Sequence, residues 1–283
     1  MLVNLQDILK EAYRNHYAIG SFNGYNYETF KGIIDAGAET QKPVILAFGA
    51  KYLQNMSLET AYALAKSLGE GSAAPVCLHL DHCSDLATVF RAIRAGFGSV
   101  MYDGSELPFA ENVKNTAAVC RVAHACGVTV EAELGCLAAG EHSHEGSAAS
   151  VQVYTEPALA KQFVEMTQVD ALAVSIGTVH GIYQATPLLR LDILEQINRL
   201  IAMPLVLHGG SGLPEQDILA CIARGIAKIN VNTEISVYAV QQTTGLLAAQ
   251  QPHFSEVSLN QIGYVKDIVK KYIAFSYKEG NNG

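Results

Sequence analysis

Nowhere in the 283-residue chain does an uninterrupted apolar run reach the length of a membrane span, so its 49% hydrophobic residues, spread along the whole length, belong to a packed interior. The opening Met1-Leu2-Val3-Asn4-Leu5-Gln6-Asp7 lacks the basic start and long apolar core of a signal peptide, which makes the cytoplasm the expected compartment. Lys and Arg are few, 19 against 27 Asp and Glu, and no basic run interrupts the net charge of -8. Unspecific nucleic-acid binding, which depends on cations neutralising phosphates, is therefore not expected. The six cysteines (Cys77, Cys83, Cys120, Cys126, Cys136, Cys221) contain no C-x-x-C pair and read as reduced residues, several of them in the core. Also missing is a Gly-rich dinucleotide fingerprint after an early strand, which an open doubly wound sheet would need.

What the chain has is a regular alternation. After a short amphipathic helix at 5–13, strands are predicted at 17–23, 43–49, 75–83, 99–105, 128–135, 171–181, 204–209 and 227–232. Helices follow at 27–40, 58–68, 86–95, 109–126, 157–166, 191–200, 215–223 and 234–249, and a polar loop at 136–150 delays the fifth of them. A further amphipathic helix is predicted at 259–275, and 278–283 reads as a frayed tail. The strands are apolar almost throughout rather than alternating, as in a parallel sheet buried on both faces. Eight strand-helix units point to an α/β fold, a single (β/α)8 TIM barrel with an extra C-terminal helix, occupying residues 1–283 as one domain.

In such a barrel every strand ends on the same face, and the chemistry gathers there. Asn23, Asp81, His82, Asp103, Glu133, His180, His208 and the run Asn230-Val231-Asn232-Thr233 all lie at or just beyond predicted strand ends. In Leu78-His79-Leu80-Asp81-His82-Cys83 an apolar strand ends in a carboxylate beside an imidazole, and two later strands end in His-Gly, at His180-Gly181 and His208-Gly209. His82, His180 and His208 have the kind and number for a catalytic zinc site that keeps one position open. Asp81 and His82 would point to opposite faces of an ideal strand, so both reach the site only if the chain turns there. His79 lies a layer deeper and reads as a hydrogen-bonded core histidine; His16, His124 and His253 read as surface residues. Gly209-Gly210-Ser211 after the seventh strand and Asn230 to Thr233 at the eighth fall where barrels commonly hold a phosphate, and Gly181 offers another close backbone approach.

As a set, Leu78-His79-Leu80-Asp81-His82, Val130-Glu131-Ala132-Glu133-Leu134-Gly135, Ile176-Gly177-Thr178-Val179-His180-Gly181, Leu207-His208-Gly209-Gly210-Ser211-Gly212 and Lys228-Ile229-Asn230-Val231-Asn232-Thr233-Glu234 resemble the class II, zinc-dependent ketose-bisphosphate aldolases, which include fructose- and tagatose-bisphosphate aldolases. The resemblance runs from about 17 to 234. It implies zinc on His82, His180 and His208, with Asp81 as the acid/base that moves the hydroxyl proton. It further implies dihydroxyacetone phosphate on Gly181, Gly209, Gly210, Ser211, Asn230, Val231, Asn232 and Thr233, with a monovalent cation (Na+ or K+) nearby. Asp103 and Glu133 resemble second-shell or alternative metal positions, and Asn23 a substrate contact. The expected reaction is reversible cleavage of a ketose 1,6-bisphosphate, tagatose slightly preferred over fructose, to dihydroxyacetone phosphate and glyceraldehyde 3-phosphate through a metal-stabilised enediolate. Glu141 occupies the position of the enolising base, but the family's Gly-Gly-x-Glu-Asp reads Ala138-Ala139-Gly140-Glu141-His142 here, and His142 and His144 beside it are unexplained. A homo-oligomer, dimer or tetramer, is implied too, with room for an accessory subunit.

Rival readings remain at this stage. A Schiff-base aldolase needs a lysine at the C-terminal end of a strand; 171–181 contains none, and Lys228 sits near the start of the eighth strand. A zinc hydrolase would use the same three histidines but leave the phosphate loops idle. A non-catalytic aldolase-like subunit is opposed by the retention of Asp81 with all three histidines. An aldolase with a different aldehyde partner is a further alternative, and Lys51, after the second strand, is a candidate for the distal phosphate.

Overall fold

The structure is a computed structural model that describes residues 1–143, 153–183, 185 and 187–277. Its chain order is α1 (Leu5–Arg14), β1 (Ile19–Asn23), α2 (Tyr27–Thr40), β2 (Val44–Gly49), a 3-10 turn (Ala50–Gln54), α3 (Leu58–Gly69), β3 (Val76–Cys83), α4 (Leu86–Ala95), β4 (Ser99–Tyr102) and α5 (Phe109–Ala125). Next come β5 (Thr129–Leu134), β6 (Ala138–Ala139), α6 (Pro157–Thr167), β7 (Ala171–Val174), β8 (Val179–His180) and α7 (Leu191–Ile201). The remainder is β9 (Leu205–Leu207), α8 (Glu215–Ile222), β10 (Ile226–Val231), α9 (Thr233–Ala249) and α10 (Phe254–Ser276). Eight strands close into a parallel barrel in the order β1-β10-β9-β7-β5-β4-β3-β2, the expected α/β TIM barrel. No described helix is long and apolar enough to cross a membrane.

Helix starts are written into the sequence. Asn4 and Asn26 each form a capping box, and the Asp85 carboxylate accepts from the N–H groups of Ala87 and Thr88 at the start of α4. Strands β1, β2 and β10 are buried at every residue, because helices cover the outer face while the inner face fills the barrel. At the N-terminal end, α1 inserts Leu5, Ile8, Leu9 and Ala12 against Ile19, Ile45, Cys77, Ala171, Ala173, Val206 and Ala227. Burial stabilises each larger side chain by about 1.5–3 kcal/mol. That packing closes the N-terminal end of the barrel, opposite the C-terminal mouth.

One predicted strand is divided. The barrel part of 171–181 ends at Val174, the backbone leaves the ladder around Gly177, whose φ is 114°, and Val179–His180 pairs instead with Ala138–Ala139 in a small sheet over the rim. A Cβ on Gly177 would lie 2.5 Å from the Leu188 carbonyl oxygen, so the turn needs glycine. The fourth strand stops at Tyr102 rather than 105, where the Asp103 carboxylate takes over the Ser105 N–H. α10 begins at Phe254, earlier than its periodicity suggests, since the His253 side chain caps it. His144, the rest of the predicted loop up to 150 and the tail at 278–283 lie outside the described residues.

Candidate active site

His82 resolves the problem of adjacent residues that must share a face. Its φ is 43°, in the left-handed region, and the ladder between β3 and β4 shifts register between Leu80 and Cys83. That turn brings Asp81 and His82 to one site and sends Cys83 outward into the packing beneath the helices, where burial pushes its thiol up to about 11. A left-handed non-glycine residue costs about 1–2 kcal/mol, which the surrounding packing must offset.

His82, His180 and His208 converge: one nitrogen from each falls within 4.8 Å of the other two. His82, Asp103 and Glu133 form a second such group, sharing His82. His82 Nδ1 meets Asp103 Oδ2 at 2.9 Å, and His208 Nε2 donates to Glu131 Oε1 at 3.0 Å. Burial, reinforced by His82, lowers His180 to about 3 and carries His208 well below its ordinary value, so both imidazoles are neutral at pH 7, as ligation requires. Glu133 is raised well above the usual carboxylate range by burial and by Asp103; for Asp103 the hydrogen bond and charge of His82 outweigh burial and hold it low. The donor set suits a metal ion: His208 Nδ1 is buried without a hydrogen-bond partner among the described residues, an arrangement that a cation at that nitrogen would relieve.

Beside the histidines, Asp81 is wholly buried and clamped by two amides. Asn23 Nδ2 donates to Oδ2 at 2.9 Å and Asn230 Nδ2 to Oδ1 at 3.0 Å. Burial would raise this carboxyl, but His82 and Lys228 outweigh it and hold it below its ordinary range. The Oδ1 atoms of Asn23 and Asn230 are buried with no partner among the described residues.

The two glycine-containing loops meet at the same rim. Gly181 and Gly209 have φ of 114° and 73°, and a Cβ on Gly209 would lie 2.3 Å from the Val179 carbonyl oxygen. Gly210 N–H donates to the Asn230 carbonyl, and Ser211 Oγ accepts from the N–H groups of Asn232 and Glu234, so these bonds fix the loops to each other. Val231 turns its side chain into the outer core, and Thr233 opens α9. Glu141 is exposed; its backbone pairs with Ile182 two residues beyond His180, which ties the loop to the strand of a proposed ligand. Lys51 is exposed in the 3-10 turn, and His142 is also exposed.

Several participants escaped the sequence reading. Glu131 was signalled, since it shares the parity of Glu133 in an otherwise apolar strand, but Lys228 looked misplaced at the start of its strand. Tyr183 donates to the Gly209 carbonyl at 2.7 Å, and Tyr52 accepts from Asn232 Nδ2 at 2.9 Å; nothing local marks either residue. Lys228 is wholly buried with its Nζ 2.7 Å from Glu131, which removes it as a Schiff-base lysine open to substrate.

Comparison with known proteins agrees with this geometry. The family Fructose-bisphosphate aldolase class-II matches residues 3–281. A sulfofructosephosphate aldolase of Alkalicoccus urumqiensis is 40% identical over 230 residues, covering 81% of this chain and 80% of that protein. The crystal structure of the YdjI aldolase from Escherichia coli K12 superposes with a TM-score of 0.87 at 34% identity over 100% of both chains. The fructose-bisphosphate aldolase of Campylobacter jejuni shares the fold, with a TM-score of 0.83 at 21% identity over 99% of this chain and 97% of that one. A barrel whose mouth gathers three imidazoles beside a clamped aspartate, matched over nearly its whole length, belongs to the class II fructose-bisphosphate aldolase family and is a lyase of that family.

Proposed function

We propose that this chain, as one domain over 1–283, is a zinc-dependent aldolase that reversibly cleaves a ketose carrying a 1-phosphate to dihydroxyacetone phosphate and an aldehyde. The observation that carries this reading is the convergence of His82, His180 and His208 beside the amide-clamped Asp81. His82, His180 and His208 would hold the zinc, with Asp103 and Glu133 as a neighbouring position. Bound there, zinc supplies Lewis acidity toward the ketone oxygen and the adjoining hydroxyl.

The protein's own groups carry the rest. Asp81 takes the proton of the C4 hydroxyl as the C3–C4 bond breaks; the new aldehyde carbonyl forms, and the bonding pair passes to the dihydroxyacetone half. Glu141 returns a proton to the carbon of that half, and in the condensation direction removes it. The unpartnered Oδ1 atoms of Asn23 and Asn230 accept substrate hydroxyls. Gly181, Gly209 to Ser211 and the start of α9 at Asn232-Thr233 cradle the phosphate, with a monovalent Na+ or K+ nearby, while the internal bonds of Gly210 and Asn232 keep the cradle in shape.

For the distal group, tagatose and fructose 1,6-bisphosphate are the expected substrates, and the 40% identical sulfofructosephosphate aldolase favours a sulfonated ketose 1-phosphate as a second reading. All three place an anion at the far end of the sugar. Cleavage of each should be followed in parallel with coupled detection of dihydroxyacetone phosphate, before chelation, after it and after zinc is restored. Loss and recovery with one of the three identifies the sugar; failure of all three in a zinc-loaded protein would overturn the aldehyde half of the proposal. The chain is also expected to assemble as a dimer or tetramer, consistent with Val240, Leu247, Phe254 and Leu259 exposed on α9 and α10. Sedimentation equilibrium giving a monomer would refute that expectation.

A further inference from the structure

Glu131 and Lys228 are a charged pair that neither exchanges a proton with substrate nor lines the phosphate cradle in the reading above. Both are wholly buried in the barrel interior, with Glu131 Oε2 2.7 Å from Lys228 Nζ. Desolvation offsets most of the attraction in such a pair, and well-packed apolar residues of similar volume would often stabilise the barrel as well or better. The pair therefore calls for a role beyond folding, and its other contact supplies one. Glu131 Oε1 accepts from His208 Nε2 at 3.0 Å. A carboxylate accepts and does not donate, so His208 carries its proton on Nε2 and keeps a lone pair on Nδ1, its one ring nitrogen without a hydrogen-bond partner among the described residues. His82 has the opposite arrangement, with Nδ1 against Asp103, which leaves Nε2 for the site. The neighbouring His79 ring, bonded through Nδ1 to Ser99 Oγ at 2.8 Å, comes only within 3.6 Å of Glu131 Oε2 and leaves Oε1 to His208.

We propose that Glu131 and Lys228 are positioning residues for the metal: Lys228 anchors one oxygen of Glu131 so that the other holds His208 in the Nε2–H tautomer, with Nδ1 turned to the metal. This rests on the zinc reading above, in taking His208 as a ligand. Lys228 acts through Glu131 and not on substrate, so the effect of removing both side chains is no larger than that of removing the acceptor alone.

The experiment uses the full chain, stripped with a chelator and titrated with Zn2+ against a chromophoric competitor, in the wild type, Glu131→Leu, which removes the acceptor, Lys228→Met and the double variant, each checked for folding by circular dichroism. Zinc affinity is expected to fall about 10–100-fold in both single variants, with the double variant matching Glu131→Leu. The visible spectrum of the Co2+-substituted protein is expected to change in the same variants. Independently of any variant, ¹⁵N NMR of the metal-free wild type should place the His208 proton on Nε2, so the proposal stays testable if a substitution prevents folding. A proton on Nδ1, or folded variants whose zinc affinity stays within about threefold of the wild type, would overturn the positioning roles. If the wild type itself takes up no zinc, the metal reading falls instead.

Discussion

Asp81 is held at both oxygens, which suits a buried carboxylate to the proton transfer proposed for it. Two amide donors fix its orientation, while the positive surroundings of His82 and Lys228 keep it in the form that accepts a proton. Asp81→Asn is nearly isosteric and should leave zinc content unchanged by metal analysis while kcat falls about 10²–10⁴-fold, as for loss of a general acid/base. An unchanged kcat would remove Asp81 from the reaction and raise the non-catalytic reading. At this scale much was legible in the sequence, since a His or Asp at the end of an apolar strand is conspicuous. The left-handed turn at His82 was anticipated only as a necessity, because neighbours on a strand cannot otherwise share a face. Glu131 and Lys228 were passed over: a strand-end rule looks at the rim, whereas their meeting takes place deeper, between strands that are not adjacent in the sheet.

Among elements, the two-residue sheet of β6 and β8 does what a continuous sixth strand could not. It carries His180 away from the barrel ladder and brings the backbone of Glu141 alongside, joined to Ile182 in both directions. If Glu141 is the enolising base, Glu141→Gln should lower kcat by about 10²-fold or more with KM little changed, read by initial rates and by loss of solvent proton exchange at C3 of dihydroxyacetone phosphate. α10 reaches the loop at 209–212 from the other side. Glu234 accepts from Gly212 N–H at 2.9 Å and from the Tyr272 hydroxyl, and pairs with Lys271 at 2.8 Å. Burial would raise the Glu234 carboxyl, but the Lys271 and Tyr272 hydrogen bonds outweigh it and the value is lowered. A depressed folded value contributes stability that is present above the unfolded value, near about 4.3, and is lost as pH falls through the folded one. Glu234→Gln should therefore lower Tm at pH 7, and the gap from the wild type should narrow below about pH 4 in scanning calorimetry; a gap that does not change with pH would contradict the linkage. None of this was visible in the sequence, where Tyr272 is simply one apolar-face residue of a C-terminal helix.

For the molecule as a whole, the metal proposed for His82, His180 and His208, which lie on β3, on β8 and just beyond β9, would couple binding to the integrity of the barrel. Zinc at 100 times its dissociation constant should stabilise the folded chain by about 2.7 kcal/mol, so Tm should fall on chelation and return when zinc is restored. An unchanged Tm would mean that no ion is held by the native state. The barrel itself, its plugged lower end and its loaded mouth follow from features each local to a few residues: apolar strands of the right length, helix caps such as Asn26 and Asp85, and histidines at strand ends. These by themselves determined the fold and brought His82 and His208 to one rim, because a parallel barrel brings all its strand ends there whatever its finer geometry, whereas His180 joins them through the separate β6–β8 sheet. Which nitrogen each imidazole presents, which amides orient Asp81 and which charge answers Glu131 were decided only by the tertiary structure. Those choices depend on hydrogen bonds a few tenths of an ångström in tolerance between residues far apart in the chain, and local pattern carries no record of such distances.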